Sequence, residues 1–164
     1  MHYSWMPIDR EDSHDAHLID AGIHAYNPEY TPCRLKLRAG GKGSLIRLMI
    51  VDDDRLMIEL FEAIASFHHI EIVGKALDGD AALEIYRSIA PPPDLILMDQ
   101  RMPNMGGIEC MQEILKVDRS QKIIFISADA DAMEDALSAG ACEFLTKPCR
   151  VSEIISAITR VCGK

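Results

Sequence analysis

Leu95-Ile96-Leu97-Met98-Asp99-Gln100-Arg101-Met102-Pro103-Asn104-Met105-Gly106-Gly107 is the stretch on which the fold turns. A short apolar run ends on one carboxylate, and a turn-rich segment with one Pro and two Gly follows at once. A buried strand that stops on an Asp sets that carboxylate at the edge of a sheet, beside pliable backbone. In open α/β sheets ligands bind at that edge. An Asp that merely opens a turn fits the same residues. The flanking sequence has to choose between the two.

On both sides, short apolar runs alternate with amphipathic stretches. Upstream, Leu45 to Val51 is apolar apart from Arg47 and stops at Asp52-Asp53-Asp54. Residues 55–67 carry Leu56, Ile58, Leu60, Phe61, Ile64 and Phe67, a pattern compatible with an amphipathic helix that Asp54 is placed to cap. Ile70 to Leu77 reads as a second strand, Asp78-Gly79 as a turn, and Asp80 to Ala90 as a helix stopped by Pro91-Pro92-Pro93. Asp94 to Met98 is the third strand. Downstream, Gly107 to Val117 predicts a helix and Lys122 to Ile126 a strand running up to Ser127. Ala130 to Ala139 predicts a helix closed by Gly140. Ala141 to Thr146 is a strand ending on Lys147-Pro148, and Val151 to Cys162 a final helix. Five β-α units with strands that are apolar without alternation predict a (βα)5 α/β domain. Its parallel five-stranded sheet is covered by helices on both faces. Right-handed crossovers leave few topologies, and the doubly wound, flavodoxin-like order 2-1-3-4-5 is the one expected.

Residues 1–44 read differently. They hold four of the six histidines and the single Trp, and show no sustained period. Ala39-Gly40-Gly41-Lys42-Gly43-Ser44 closes them like a flexible joint. The chain divides into a mostly irregular extension, 1–44, with a short helix over 12–23, and a domain, 45–164. His14, His17 and His24 lack a Cys partner or an i, i+4 pair and predict no metal site. Gly41-Lys42-Gly43-Ser44 lacks the spacing of a phosphate loop and precedes a strand where it should follow one.

The bulk numbers exclude several classes. A net charge of −9 argues against nucleic acid as a direct partner, because phosphate binding needs a basic face. No run approaches the ~18 apolar residues of a membrane span. The N-terminus lacks the basic-then-apolar order of a secretory signal. Five cysteines without CxxC spacing read as reduced thiols of a cytosolic protein.

The residues that terminate the predicted strands carry the chemistry. Strand one ends on Asp52 and Asp53, strand three on Asp99, strand four on Ser127, and strand five on Lys147 followed by Pro148. In a parallel sheet all these ends share one edge. Each residue has a plain structural use on its own, as a cap, a turn or a solvated charge. Together they bring three carboxylates, one hydroxyl and one ammonium to one place. Packed carboxylates repel unless a cation lies between them. A hard divalent ion with oxygen ligands resolves the conflict, and Mg²⁺ suits a few carboxylates with retained waters. Lys147 brings a second positive charge, placed to pair with Asp99.

Val51-Asp52-Asp53, Pro93-Asp94-Leu95-Ile96-Leu97-Met98-Asp99 with Met102-Pro103 and Gly106-Gly107, Ser127-Ala128 and Lys147-Pro148 jointly resemble the receiver domain of bacterial and archaeal two-component response regulators. The resemblance spans residues 45–163 and leaves out 1–44. It implies that Asp99 accepts a phosphoryl group from a phosphohistidine on a sensor histidine kinase or a histidine phosphotransfer protein. It implies Mg²⁺ held by Asp53 directly, by Asp52 largely through water, by Asp99, and by the backbone carbonyl of Arg101. Lys147 is then the partner of the phosphoryl oxygens and Ser127 their hydroxyl donor. Phe144 is the aromatic residue that turns inward when Ser127 moves. The signal leaves through the face of the fourth helix, fifth strand and fifth helix. A downstream protein target reads that face, in a cytoplasmic monomer or a weak dimer formed through the same surface.

Three departures qualify the resemblance. Cys149 stands where the family often has Phe. Arg101 and Asp129 occupy the two positions that tune phosphoryl lifetime in the family, and their opposite charges predict a pair across the site mouth before phosphorylation. An aspartyl phosphatase needs a second Asp two residues past its nucleophile. Arg101 stands there, so the reading is a self-phosphorylating switch and not a turnover enzyme. The alternative is a receiver-fold docking module that works without phosphorylation, although such forms usually lack a member of the set that is intact here. The sequence stops at the last predicted helix, so output is expected to pass to another protein.

Overall fold

The computed structural model describes residues 45–163. The helix expected over 12–23, His14, His17, His24 and the glycine joint lie outside those residues. The strands are β1 (Ile46–Val51), β2 (Ile70–Ala76), β3 (Leu95–Met98), β4 (Ile123–Ser127) and β5 (Glu143–Thr146). The helices are α1 (Arg55–Ser66), α2 (Gly79–Ser88), α3 (Gly107–Val117), α4 (Met133–Ala139) and α5 (Val151–Cys162). Every pairing is parallel and the sheet order is β2-β1-β3-β4-β5, the order expected from the alternation.

The unalternated strands are explained by what covers them. Met49, Val51, Ile96, Met98, Ile123 and Phe125 form one core with Leu83 and Tyr86 of α2, Met111 and Ile114 of α3 and Ala136 of α4. Leu48, Ile50, Leu95, Leu97, Ile124 and Ile126 form the other with Phe61 and Ile64 of α1 and Ile154 and Ile158 of α5. Successive side chains point to opposite faces, so a strand buried on both sides must be apolar at every position. β2, at the sheet edge, is only partly buried.

Most element ends lie within a residue or two of the expected ones, and the differences have local causes. The Asp54 side chain caps α1 as expected, accepting from the Leu56 N–H at 2.9 Å. The apolar set of α1 is split, however. Ile58, Phe61 and Ile64 are buried, whereas Leu56, Leu60 and Phe67 face solvent at 71%, 42% and 86% exposure. The helix has one side toward the sheet, and residues 56, 60 and 67 repeat on its opposite side. α2 begins on Gly79 because the Asp78 side chain caps it, accepting from the Ala81 N–H at 2.8 Å. The single helix expected over 130–139 is a 3-10 turn, Ala130–Ala132, followed by α4. The Asp129 carbonyl closes that turn by accepting from the Ala132 N–H at 3.2 Å. β5 starts at Glu143, since the Ala141 N–H is turned back to the Ala136 carbonyl of α4 at 3.0 Å.

The start of α3 passes close to the end of β3. A Cβ on Gly107 would lie 2.2 Å from the Asp99 carbonyl oxygen and 2.8 Å from Phe125 Cε1. A Cβ on Gly106 would meet nothing nearer than the Gln100 carbonyl oxygen at 3.5 Å. Gly107→Ala should therefore destabilise the domain by about 1–3 kcal/mol or more through overpacking against backbone. Gly106→Ala, at the cap position, should cost no more than about 1 kcal/mol. Urea unfolding of the two variants measures the difference, and equal midpoints would contradict this packing.

Candidate functional site

The parallel ladder carries Asp52, Asp99 and Lys147 one step past their strands. The Asp52 N–H donates to the Ala76 carbonyl at 3.1 Å, the Asp99 N–H to the Val51 carbonyl at 2.8 Å, and the Lys147 N–H to the Ser127 carbonyl at 2.8 Å. Backbone bonding to neighbouring strands thus fixes Asp52, Asp99 and Lys147 along one edge. Asp52, Asp99 and Ser127 are buried, and Asp53 is exposed. One carboxylate oxygen from each of Asp52, Asp53 and Asp99 lies within 4.8 Å of the others.

Lys147 answers part of this negative charge. Its Nζ donates to Asp52 Oδ2 at 2.8 Å and lies 3.7 Å from Asp99 Oδ1, too far for a hydrogen bond. The pairing expected with Asp99 is therefore an ion pair at longer range, and the close contact goes to Asp52. The Asp54 N–H holds the Asp52 carboxylate in place through Oδ1 at 2.9 Å. Burial pushes the Lys147 ammonium toward neutrality, but the hydrogen bond to Asp52 and the charges of Asp52 and Asp99 outweigh it. Its pKa is held above the ordinary lysine value. Asp99 Oδ1 is buried and has no hydrogen-bond partner. An orphaned carboxylate oxygen among two further carboxylates is a donor set that fits a hard divalent cation with oxygen ligands.

The loop after β3 is held by a residue that sequence reading passed over. Gly106 has no side chain to cap α3. Gln100 supplies the cap from a distance: its Oε1 accepts from the Ile108 N–H at 2.9 Å and its carbonyl from the Gly107 N–H at 3.0 Å. A helix opened by Gly-Gly, with an amide side chain just past the strand, was the available signal. Asn104 takes the left-handed conformation at φ 64° within this loop, a region in which Asn is among the better tolerated residues.

Arg101 and Asp129 meet across the mouth as expected, Nε to Oδ2 at 3.0 Å. The hydrogen bond to Asp129 and its charge hold the guanidinium pKa above its ordinary value, with smaller help from Asp131 and Asp99. The Asp129 N–H donates to Ser127 Oγ at 3.3 Å. Phe144 is half-buried on β5, and its ring stacks on Phe125 with centroids 6.1 Å apart and planes within 5°. Cys149 packs at the margin of the α1–α5 core. No helix among the described residues is long and apolar enough to cross a membrane.

The crowded carboxylate of Asp99 should make the metal-free protein less stable than a neutral variant. Asp99→Asn should raise stability by about 1–3 kcal/mol in chelator, since it removes a buried charge that has one oxygen without a hydrogen bond and only a long ion pair to Lys147. A divalent cation should raise the thermal midpoint of the wild type and move that of the variant much less. A lower midpoint for Asp99→Asn in chelator would refute the assignment of the site as electrostatically strained.

Known proteins agree with this geometry. Residues 48–159 match the family model described as the response regulator receiver domain. The chemotaxis protein CheY of Thermotoga maritima is 38% identical over 117 residues, 70% of this chain and 96% of that protein. The Bacillus subtilis chemotaxis protein CheY is 35% identical over 116 residues, 70% of this chain and 95% of that protein. Among solved structures, the CheX–CheY–BeF3–Mg²⁺ complex from Borrelia burgdorferi aligns with a TM-score of 0.69 and 29% identity, covering 73% of this chain and 90% of that one. With five parallel strands in the order 2-1-3-4-5 and these relatives, the chain belongs to the response regulator receiver domain family of two-component systems.

Proposed function

We propose that residues 45–164 form the receiver domain of a response regulator and that Asp99 is the phosphoacceptor. The observation that carries this reading is the buried Asp99 Oδ1, without a hydrogen-bond partner, beside Asp52, Asp53 and Lys147. Phosphoryl transfer asks for a positioned nucleophile and for stabilisation of charge, with little covalent chemistry beyond that. An Asp99 carboxylate oxygen attacks the phosphorus of a phosphohistidine. The P–N bond breaks, its electron pair returns to the imidazole, and an acyl phosphate forms on Asp99. A Mg²⁺ held by Asp52, Asp53, Asp99 and the Arg101 carbonyl supplies charge neutralisation when bound. The Borrelia relative was solved with that ion, which supports the choice.

Lys147 is poised for the same step. Its ammonium sits between Asp52 and Asp99, placed to pair with a phosphoryl oxygen on Asp99. The phosphoryl group adds charge and acceptor oxygens, and the Ser127 hydroxyl turns to donate to one of them. Phe144 then moves into the space Ser127 leaves, and the surface of α4, β5 and α5 shifts its population toward the partner-binding form. The donor is a sensor histidine kinase or a histidine phosphotransfer protein, and the reader is a protein target. Arg101 replaces the general acid/base that an aspartyl phosphatase requires.

Incubation with a radiolabelled acyl phosphate tests the reading. Label should appear only with Mg²⁺, be lost in alkali, and be absent from Asp99→Asn. Lys147→Met should slow it by roughly a hundredfold, the scale of losing one charge-stabilising group. A phosphate monoester should not be hydrolysed. Label that persists in Asp99→Asn would overturn the acceptor assignment. Absence of any label from the wild type would favour the phosphorylation-independent docking module.

A further inference from the structure

We propose that the Arg101–Asp129 ion pair is a latch that holds the loop between β4 and α4 in its unphosphorylated position, and that phosphorylation of Asp99 releases it by competing for Arg101. The proposal rests on Asp99 being the phosphoacceptor. It concerns two positioning residues, not two that carry out the transfer.

Asp129 is tied in three directions. Its carboxylate meets Arg101 Nε at 3.0 Å, its N–H donates to Ser127 Oγ at 3.3 Å, and its carbonyl starts the 3-10 turn through the Ala132 N–H at 3.2 Å. Arg101 lies on the other loop, two residues past Asp99, and its guanidinium feels the charges of Asp131 and Asp99 as well as that of Asp129. A cation on the loop that follows the acceptor is therefore tied to the loop that has to move.

A phosphoryl group on Asp99 changes this balance. It brings close to two negative charges and three acceptor oxygens. A guanidinium fork matches such a group better than it matches a single carboxylate oxygen. Arg101 trades Asp129 for the phosphoryl group, and the Asp129 carboxylate is left facing a like charge. In the same event Ser127 turns its hydroxyl toward the phosphoryl group and loosens its contact with the Asp129 N–H. Two of the three ties fail together, and the third connects Asp129 to the turn Ala130–Ala132 that leads into α4. The pair therefore sets how far the unphosphorylated protein leans toward its off state. Because Arg101 is mostly exposed, the bias is modest and screened by salt.

Amide chemical shifts of Ala128, Ala130, Ala132 and Phe144 give the test, read on the full chain in four forms. These are the wild type, Arg101→Gln, Asp129→Asn and the double variant. The wild-type spectra without phosphoryl donor and with acyl phosphate plus Mg²⁺ define a line from off to on. Each single substitution should move the unphosphorylated protein along that line, an equilibrium change of roughly twofold to fivefold for an exposed pair. The double variant should move no further than either single one. About 0.5 M salt should shift the wild type the same way and leave the variants in place. A role confined to local packing would scatter the shifts off the line. Unmoved shifts, scatter, or additive single effects would overturn the latch while leaving the acceptor assignment intact. A wild type that takes no phosphoryl group would overturn both.

Discussion

Three carboxylates gathered within 4.8 Å beside one ammonium are the constraint on which the rest of the molecule depends. Such a cluster is costly in a fold's interior, because like charges repel and a buried carboxylate oxygen without a donor loses its hydration. Lys147 relieves Asp52 and only partly reaches Asp99. The stability that tolerates this arrangement comes from elsewhere. Two continuous apolar cores, one on each face of the sheet, offset a local cost of a few kcal/mol. Functional sites that keep such unfavourable contacts are common where the missing partner is the ligand itself.

The sheet edge holds the cluster because backbone bonding does not stop where the strands do. Asp52, Asp99 and Lys147 each donate one further N–H to a neighbouring strand or strand end. Their Cα positions are therefore as rigid as the sheet, and only side chains and loops remain free to respond. The loop after Asp99 is closed from within by Gln100 and by the near contact that Gly107 permits. Rigid anchor points with a compliant rim are what a phosphoryl-transfer site requires, since small misplacements of the nucleophile weigh heavily on the rate.

Ser127 ends β4, Asp129 follows in the next loop with its N–H on the Ser127 hydroxyl, and Phe144 of β5 rests on Phe125 in a cross-strand stack. Phe125 in turn lies against Gly107, which passes close to the Asp99 carbonyl. Two chains of contact thus lead from the end of β3 and from Ser127 toward α4 and β5: the packed rings, and the hydroxyl and loop of Ser127–Asp129. Both are contiguous contacts between elements with little slack, the kind of coupling that gives discrete states in preference to gradual deformation.

The alternation of apolar runs with amphipathic stretches determined the architecture. Helices on both faces demand apolar strands, and right-handed crossovers leave few orders, of which 2-1-3-4-5 was the one expected. The convergence of Asp52, Asp53, Asp99, Ser127 and Lys147 was legible for the same reason, since strand ends in a parallel sheet must share an edge. Periodicity does not say which way a helix faces, and the exposed Leu56, Leu60 and Phe67 of α1 show where it misled. Nor does spacing say which of two nearby carboxylates an ammonium will choose, what will cap a helix that opens on glycine, or where a predicted helix tightens into a 3-10 turn. Lys147 on Asp52, Gln100 on α3 and the turn before α4 were decided by tertiary structure alone. The first joins residues 95 apart in the chain, and the other two turn on small differences of geometry within one loop, which periodicity and spacing do not record.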